Sequence, residues 1–266
     1  MVKTNAEIAP SESRLSNPAP NKLYGRGTVY EIVDWIYTVR HMPSYSIDVE
    51  VIPSTSDELE TLGEVTASGL VFLKLSGNNS DVRGRTEFIC LLNALRAPNL
   101  EEVAIIRPGT ATAIFENAVY SFLNKSAQSR NLTKLSLSML CCHRSGLESY
   151  LKSEAAGDLE MLRLHTNSDV KAIILYSLVH EHQLSNLREL VLRNVKNIDP
   201  VNDLLRTLEL RHAQGCRKLR RVKYTSMSKT EAPAEVVKRG RALGIKIESF
   251  SKNYVKPARR RQVAAV

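Results

Sequence analysis

Along most of the chain, aliphatic residues fall into one short phrase, Leu-x-x-Leu-x-Leu, that returns at a nearly constant interval. It reads Leu70-x-x-Leu73-x-Leu75, Leu100-x-x-Val103-x-Ile105 and Leu132-x-x-Leu135-x-Leu137. It continues as Leu159-x-x-Leu162-x-Leu164, Leu187-x-x-Leu190-x-Leu192 and Leu219-x-x-Val222-x-Tyr224. The leading positions lie 30, 32, 27, 28 and 32 residues apart, and Asn99, Asn131, Asp158 and Asn186 precede four of them. Every gap holds apolar residues at helical spacing. A short strand and a helix alternating at fixed period predict a repeat architecture, in which each unit buries its apolar face by stacking on its neighbours.

Taken in order, residues 1–27 contain three prolines and few large apolar residues, which predicts a disordered lead. Thr28 and Glu31 form a capping box ahead of Ile32, Trp35, Ile36 and Val39 on one helix face. Ile47, Val49 and Val51 alternate with polar residues as a half-buried strand would. A short helix from Ser56 carries Leu59, Leu62 and Val65. Thr86, Ser145 with Glu148, and Asp169 are read as caps of later helices. Asp199-Pro200 and Gly215 punctuate the helix bearing Leu204, Leu205 and Leu208. A last helix from Thr230 to Leu243 stops at Gly244, and Ile245–Ile247 closes the ladder. The repeat domain is expected over 28–250, and 251–266 reads as a basic disordered tail.

Strand, helix, strand in one direction requires crossover connections and parallel pairing. A doubly wound sheet has helices on both faces, and its strands read as continuous apolar runs. Here the middle residue of Leu162-Arg163-Leu164 and of Val222-Lys223-Tyr224 is charged. One sheet face must therefore meet water. The expected fold is α/β, a leucine-rich-repeat-like solenoid or horseshoe with a parallel sheet on the concave face and helices on the convex face.

Composition adds little until charge is located. Of 266 residues 43% are hydrophobic, enough for a continuous core. No apolar run approaches a membrane span and no secretory leader opens the chain, so a cytoplasmic or nuclear protein is expected. The net charge is +9. Residues 200–266 hold 17 Lys and Arg against 5 Asp and Glu, while the rest hold 20 against 23. The positive excess sits in the last quarter, as in chains that meet nucleic acid or acidic partners.

The phrase "APNLEEVAII" and its counterparts resemble leucine-rich-repeat proteins of the ribonuclease-inhibitor type. More narrowly, the stretch from Glu31 to Ile106, with "EIVDWIYTVRHMPSYSIDVEV" and "SGLVFLKLSG", resembles the repeat region of fungal (basidiomycete) F-box proteins, and the closing "VVKRGRALGIKIESF" resembles their last unit. The resemblance as a whole covers about residues 28–250. That resemblance implies a recognition module for protein substrates. The F-box that would dock the Skp adaptor of a cullin ligase is not expected in residues 1–27, which are too short and too polar for one. The consensus Asn that closes each repeat strand matches at Asn78 and Asn167, while other units carry Pro108, Leu140, Val195 and Met227.

Motifs for chemistry are absent: no phosphate loop, nucleophile elbow or H-E-x-x-H appears. His180-Glu181-His182 places two imidazoles on different sides of a helix, and Cys141-Cys142-His143 has no third group to orient a base. The four cysteines contain no C-x-x-C pair and read as free thiols. No enzyme, cofactor or metal site is expected. The candidate site is the inner face of the strands, where Lys74, Lys134, Arg163, His165, Arg193, Arg221 and Lys223 alternate with the inward leucines. The expected partner is an acidic segment of another protein. A second candidate is the tail cluster Lys256, Arg259, Arg260 and Arg261, fit for nucleic acid or nuclear import.

Overall fold

The computed structural model describes residues 16–19, 21–55, 62–77, 82–106, 112–126, 131–138, 144–166, 169–180, 183–195, 198–225 and 232–250. Ten strands form one sheet: β1 (Ser16–Ala19), β2 (Lys22–Gly27), β3 (Tyr45–Val51), β5 (Leu70–Gly77), β7 (Glu102–Ile106), β8 (Lys134–Ser138), β9 (Met161–His165), β10 (Glu189–Arg193), β11 (Arg221–Thr225) and β12 (Lys246–Phe250). Their spatial order is their sequence order. β1 pairs antiparallel with β2, and every later pairing is parallel. Two further short strands, β4 (Val65–Thr66) and β6 (Leu95–Arg96), pair with each other.

The predicted phrases become strands of this sheet. All eighteen of their aliphatic or aromatic positions, from Leu70 to Tyr224, are at most 2% exposed. Helices cover that side: α1 (Val29–Val39), α2 (Val82–Ala94), α3 (Ala113–Ser126), α4 (Arg144–Leu151), α5 (Glu154–Gly157), α6 (Lys171–Val179), α7 (Arg206–Ala213) and α8 (Ala234–Ala242). Successive helices pack on one another, with Phe88 of α2 edge-on to Phe115 of α3 at 5.5 Å and Tyr120 of α3 stacked on Tyr150 of α4 at 6.1 Å. The intervening strand residues are mostly part-exposed, so the opposite sheet face is open. Each buried leucine is worth roughly 1.5–3 kcal/mol of transfer from water, and the stacked units share one continuous core.

The Asn and Asp residues that precede the leucines have a structural use. Asn99 Nδ2 donates to the Ser68 carbonyl at 2.8 Å, and Asn131 Nδ2 donates to Asn99 Oδ1 at 3.3 Å. Asn186 bridges in the same way, donating to Asp158 at 3.5 Å and accepting from Lys218 at 2.5 Å. Backbone bonds run alongside: Thr133 N to Glu101 O, Glu160 N to Thr133 O, Arg188 N to Glu160 O and Arg220 N to Arg188 O. These rungs satisfy the turn entering each strand, where the backbone would otherwise need water.

Several expectations change. Residues 22–27 are not a disordered lead: β2 pairs with β3 along its whole length and buries Leu23 at 1% exposure, so the repeat body begins before residue 28. Thr86 lies inside α2, its hydroxyl donating back to the Val82 carbonyl at 3.0 Å rather than capping. Ser145 lies inside α4, and α6 begins two residues after Asp169, with Val170 buried at its start. The Thr28–Glu31 box does form, with Glu31 N donating to Thr28 Oγ1 at 3.3 Å and Thr28 N to Glu31 Oε2 at 2.7 Å. The Asp199 carboxylate accepts from the amides of Val201 and Asn202, and the segment Pro200–Leu205 winds as a π-helical turn before α7. Gly215 and Gly244 take positive φ past their helices, as their place predicts. The last helix starts at Ala234, and the closing strand runs Lys246–Phe250. The helix read from Ser56 does not reach its expected end, since 62–64 are not helical and Val65 belongs to β4; its earlier part, 56–61, and Cys141-Cys142-His143 lie outside the described residues.

Candidate binding surface

Parallel register arranges the open face into three rows that cross nine strands. The row nearest the strand starts runs Lys22, Ser46, Phe72, Glu102, Lys134, Met161, Glu189, Arg221, Lys246. The middle row runs Tyr24, Asp48, Lys74, Ala104, Ser136, Arg163, Val191, Lys223, Glu248. The row at the carboxyl ends holds Arg26, Glu50, Ser76, Ile106, Ser138, His165, Arg193, Thr225 and Phe250. Nine Lys or Arg stand here against five Asp or Glu, an excess of four cations.

Cross-strand pairing removes much of that excess locally. Lys74 is 2.9 Å from Asp48, Lys134 is 3.1 Å from Glu102 and Arg221 is 3.0 Å from Glu248. Three of the predicted binding residues thus have carboxylates on the next strand. Glu248 also meets Lys246 and Lys223, and the hydrogen bond from Lys246, helped by Arg221 against the opposing effect of burial, pulls its pKa down to about 2. Arg163 has a looser contact with Glu189 at 3.5 Å. Among the described residues Arg193 has no carboxylate partner; its guanidinium carbon lies 4.6 Å from the centre of the Phe250 ring.

The positive character therefore gathers over β9–β12. There the face sinks into a depression of about 390 Å³, lined by Ser136, Ser138, Arg163, His165, Glu189, Arg193, Lys223 and Phe250, with Val191 and Ile106 as its apolar side chains. His165 sits between Ser138, whose Oγ is 3.2 Å from Nδ1, and Asn194, whose Nδ2 is 3.0 Å from Nε2. If Nδ2 donates to Nε2, the ring hydrogen is on Nδ1 and points to Ser138. Burial first, and then the charge of Arg193, push the His165 pKa below its ordinary value, so the ring is neutral at pH 7. Asn194 reaches this position with φ +56, a left-handed turn that Asn tolerates better than most residues.

No family model matches the chain. No curated protein matches it either.

The structure thus brings Arg163, His165, Arg193 and Lys223 to one depression and ties Lys74, Lys134 and Arg221 into pairs elsewhere on the face. The tail cluster Lys256, Arg259, Arg260 and Arg261 lies outside the described residues. Sequence reasoning passed over Asp48 and Glu248, because the strands that carry them lack the full phrase. It also passed over Phe250 and Asn194, which end or follow a strand. The alternation Lys246-Ile247-Glu248-Ser249-Phe250 was the available signal for the last strand. Among the described residues no group of three or more His, Cys, Asp or Glu is placed to hold a metal ion, and no helix is long and apolar enough to cross a membrane. His180 caps the end of α6 with its ring 5.0 Å from Tyr176. Cys90 and Cys216 are free and half-buried.

Proposed function

We propose that the chain is a leucine-rich-repeat-type solenoid, helices on its convex side, whose open sheet face binds an acidic segment of another protein without catalysing a reaction. Nine parallel strands in sequence order, with one face buried and one open, suit such a ladder, and solenoids use this face for recognition. The observation that carries the binding role is Arg193, held without a carboxylate partner among the described residues, beside Arg163 and Lys223 at a depression. On this reading the chain corresponds to the substrate-recognition part of F-box/leucine-rich-repeat proteins, acting in the cytoplasm or nucleus. The test is retention on immobilised polyglutamate at low salt. The double reversal Arg163→Glu, Arg193→Glu abolishes retention if the face binds acid; unchanged retention overturns the proposal.

A second reading, association with nucleic acid, draws on the exposed Arg217, Lys218, Arg220, Lys238 and Arg241 near the last two strands. Salt-dependent retention on DNA that survives the double reversal and falls after removal of residues 251–266 would favour it.

A further inference from the structure

The depression beside Arg193 differs from the rest of the open face in combining one uncompensated cation with apolar surface. Arg163 and Lys223 each have a carboxylate at 3.5 Å, Glu189 and Glu248 respectively. Arg193 has none among the described residues, and its guanidinium carbon lies over the Phe250 ring, 4.6 Å from the centroid. A guanidinium carries paired N–H groups in a rigid fork that matches the two oxygens of a planar carboxylate. Lys223 Nζ also lies over the same ring, at 5.8 Å, so the ring is in contact with two cations. Val191, 5% exposed, and Ile106 give the depression apolar walls beside Arg193.

Charge chooses between anions. Glu189 offsets Arg163, but Glu248 is one carboxylate shared by Arg221, Lys223 and Lys246, so with Arg193 beside them more than one positive charge is left to be met. Spread from Arg193 to Lys223 on neighbouring strands, that surplus suits an acidic segment bringing more than one carboxylate, whereas a phosphate monoester concentrates its ~1.5–2 negative charges on one group. An apolar wall beside a carboxylate-sized fork asks for a large apolar group within a residue or two of the acid. Polyglutamate alone leaves Val191, Ile106 and the Phe250 edge without a partner.

We propose that this depression binds a carboxylate side chain together with a neighbouring aromatic one, so that the occupant of the open face is an acidic segment with interleaved aromatic residues. The inference rests on the acidic-partner reading above and sharpens it. Opposite charge brings the segment to the face, and the aromatic residue sets where along the face it stops.

Isothermal titration calorimetry of the full chain with three synthetic decapeptides tests it: alternating Glu-Phe, all Glu, and alternating Gln-Phe. The expected result is that Glu-Phe binds at least ~10-fold more tightly than either other peptide, a difference of about 1.4 kcal/mol. Arg193→Lys should lose that advantage, because an ammonium cannot make the forked pair. Phe250→Leu, which keeps apolar bulk but removes the ring face, should lose it too, with an unchanged melting temperature showing that the sheet edge is intact. Equal binding of Glu-Phe and all-Glu peptides, abolished by the Arg163→Glu, Arg193→Glu double reversal, would overturn the aromatic requirement and leave the acidic-partner reading standing. Absence of binding by all three would overturn both. Tighter binding of a phosphoserine-Phe peptide than of Glu-Phe would overturn the choice of carboxylate.

Discussion

Arg211 Nη1 donates to the carbonyl oxygen of Leu178 at 2.8 Å from a side chain that is 1% exposed. Its Nη2 donates to the Leu184 carbonyl at 2.6 Å, so one buried guanidinium on α7 closes both the end of α6 and the turn that follows. Leu184 itself sits at φ +51, a conformation held by that turn. Burial lowers the pKa of Arg211 against a smaller opposing effect of the Cys216 thiol, yet an arginine stays charged. Arg211→Met would leave two buried carbonyls unpaired at ~1–3 kcal/mol each. Urea unfolding should show a loss on the order of 3 kcal/mol, and a change within ~0.5 kcal/mol would mean that water or backbone adjustment replaces the bonds.

The two sheet faces should respond differently to truncation. Leu190 is fully buried on β10, and Leu190→Ala is expected to cost ~2–5 kcal/mol. Ser136→Ala, on the open face of β8, should stay within ~0.5 kcal/mol. Comparable losses at both positions would show that the open face is covered by something in solution.

Asp199 caps the turn that leads into α7, accepting from Val201 N at 2.8 Å and Asn202 N at 2.9 Å. The amide of Asn202, its side chain and the amide of Val201 hold this carboxyl below its ordinary pKa. A depressed carboxyl gives stability that is complete above the unfolded value of ~3.9 and is lost as pH falls through the folded value. Asp199→Ala should cost ~1 kcal/mol at pH 7, and the gap between wild type and variant should narrow below pH 4. A gap of constant size across that range would rule out the charged cap.

His165 has the opposite charge and the same sign of dependence. Its folded pKa is lowered, so below ~6.5 the unfolded chain takes up a proton that the folded one refuses. The stability tied to the neutral ring is whole above that value and declines on acidification until the folded pKa is passed. Arg193 is the charged group that acts on it, Arg163, Glu189 and Lys223 line the same depression, and Ser138 and Asn194 stand at its two nitrogens. Comparison of His165→Gln with wild type between pH 7.5 and 5 should show a flatter profile for the variant; parallel profiles would remove His165 as the cause.

The Lys74–Asp48 pair is part-exposed and should be worth little. A double-mutant cycle with alanine at each position is expected to give a coupling of ~0.2–1 kcal/mol that shrinks in 1 M salt. A larger, salt-insensitive value would indicate a pair screened from solvent.

Much of the architecture was legible because it is periodic. Leu162 and Leu164 flanking Arg163 state which face is inward and which is outward, and six such phrases state that strands follow one another in a row. The helix starts were less legible: Thr86 and Ser145 have the chemistry of caps but lie inside their helices, since a hydroxyl can bond back to a carbonyl within a helix. β2 was missed because prolines and glycines around Leu23 look like a loop until a neighbouring strand pairs with it. Arg211 was missed for a related reason. It extends the spacing of Leu204 and Leu208, but a charged residue at a core position is read as turning outward.

From one dimension came the repeat, its period, the alternation of inward and outward positions and the surplus of cations outside. These follow from local rules, since a side chain two places along a strand returns to the same face whatever its neighbours do. Which cation stands opposite which carboxylate is different. Lys74 meets Asp48 from 26 positions away and Arg221 meets Glu248 from 27, whereas Arg193 meets a phenyl ring instead. Such encounters depend on the register of parallel strands, and register is set by how each leucine row seats against the helices. Folding alone makes most of the predicted basic face into paired charges and leaves Arg193 open.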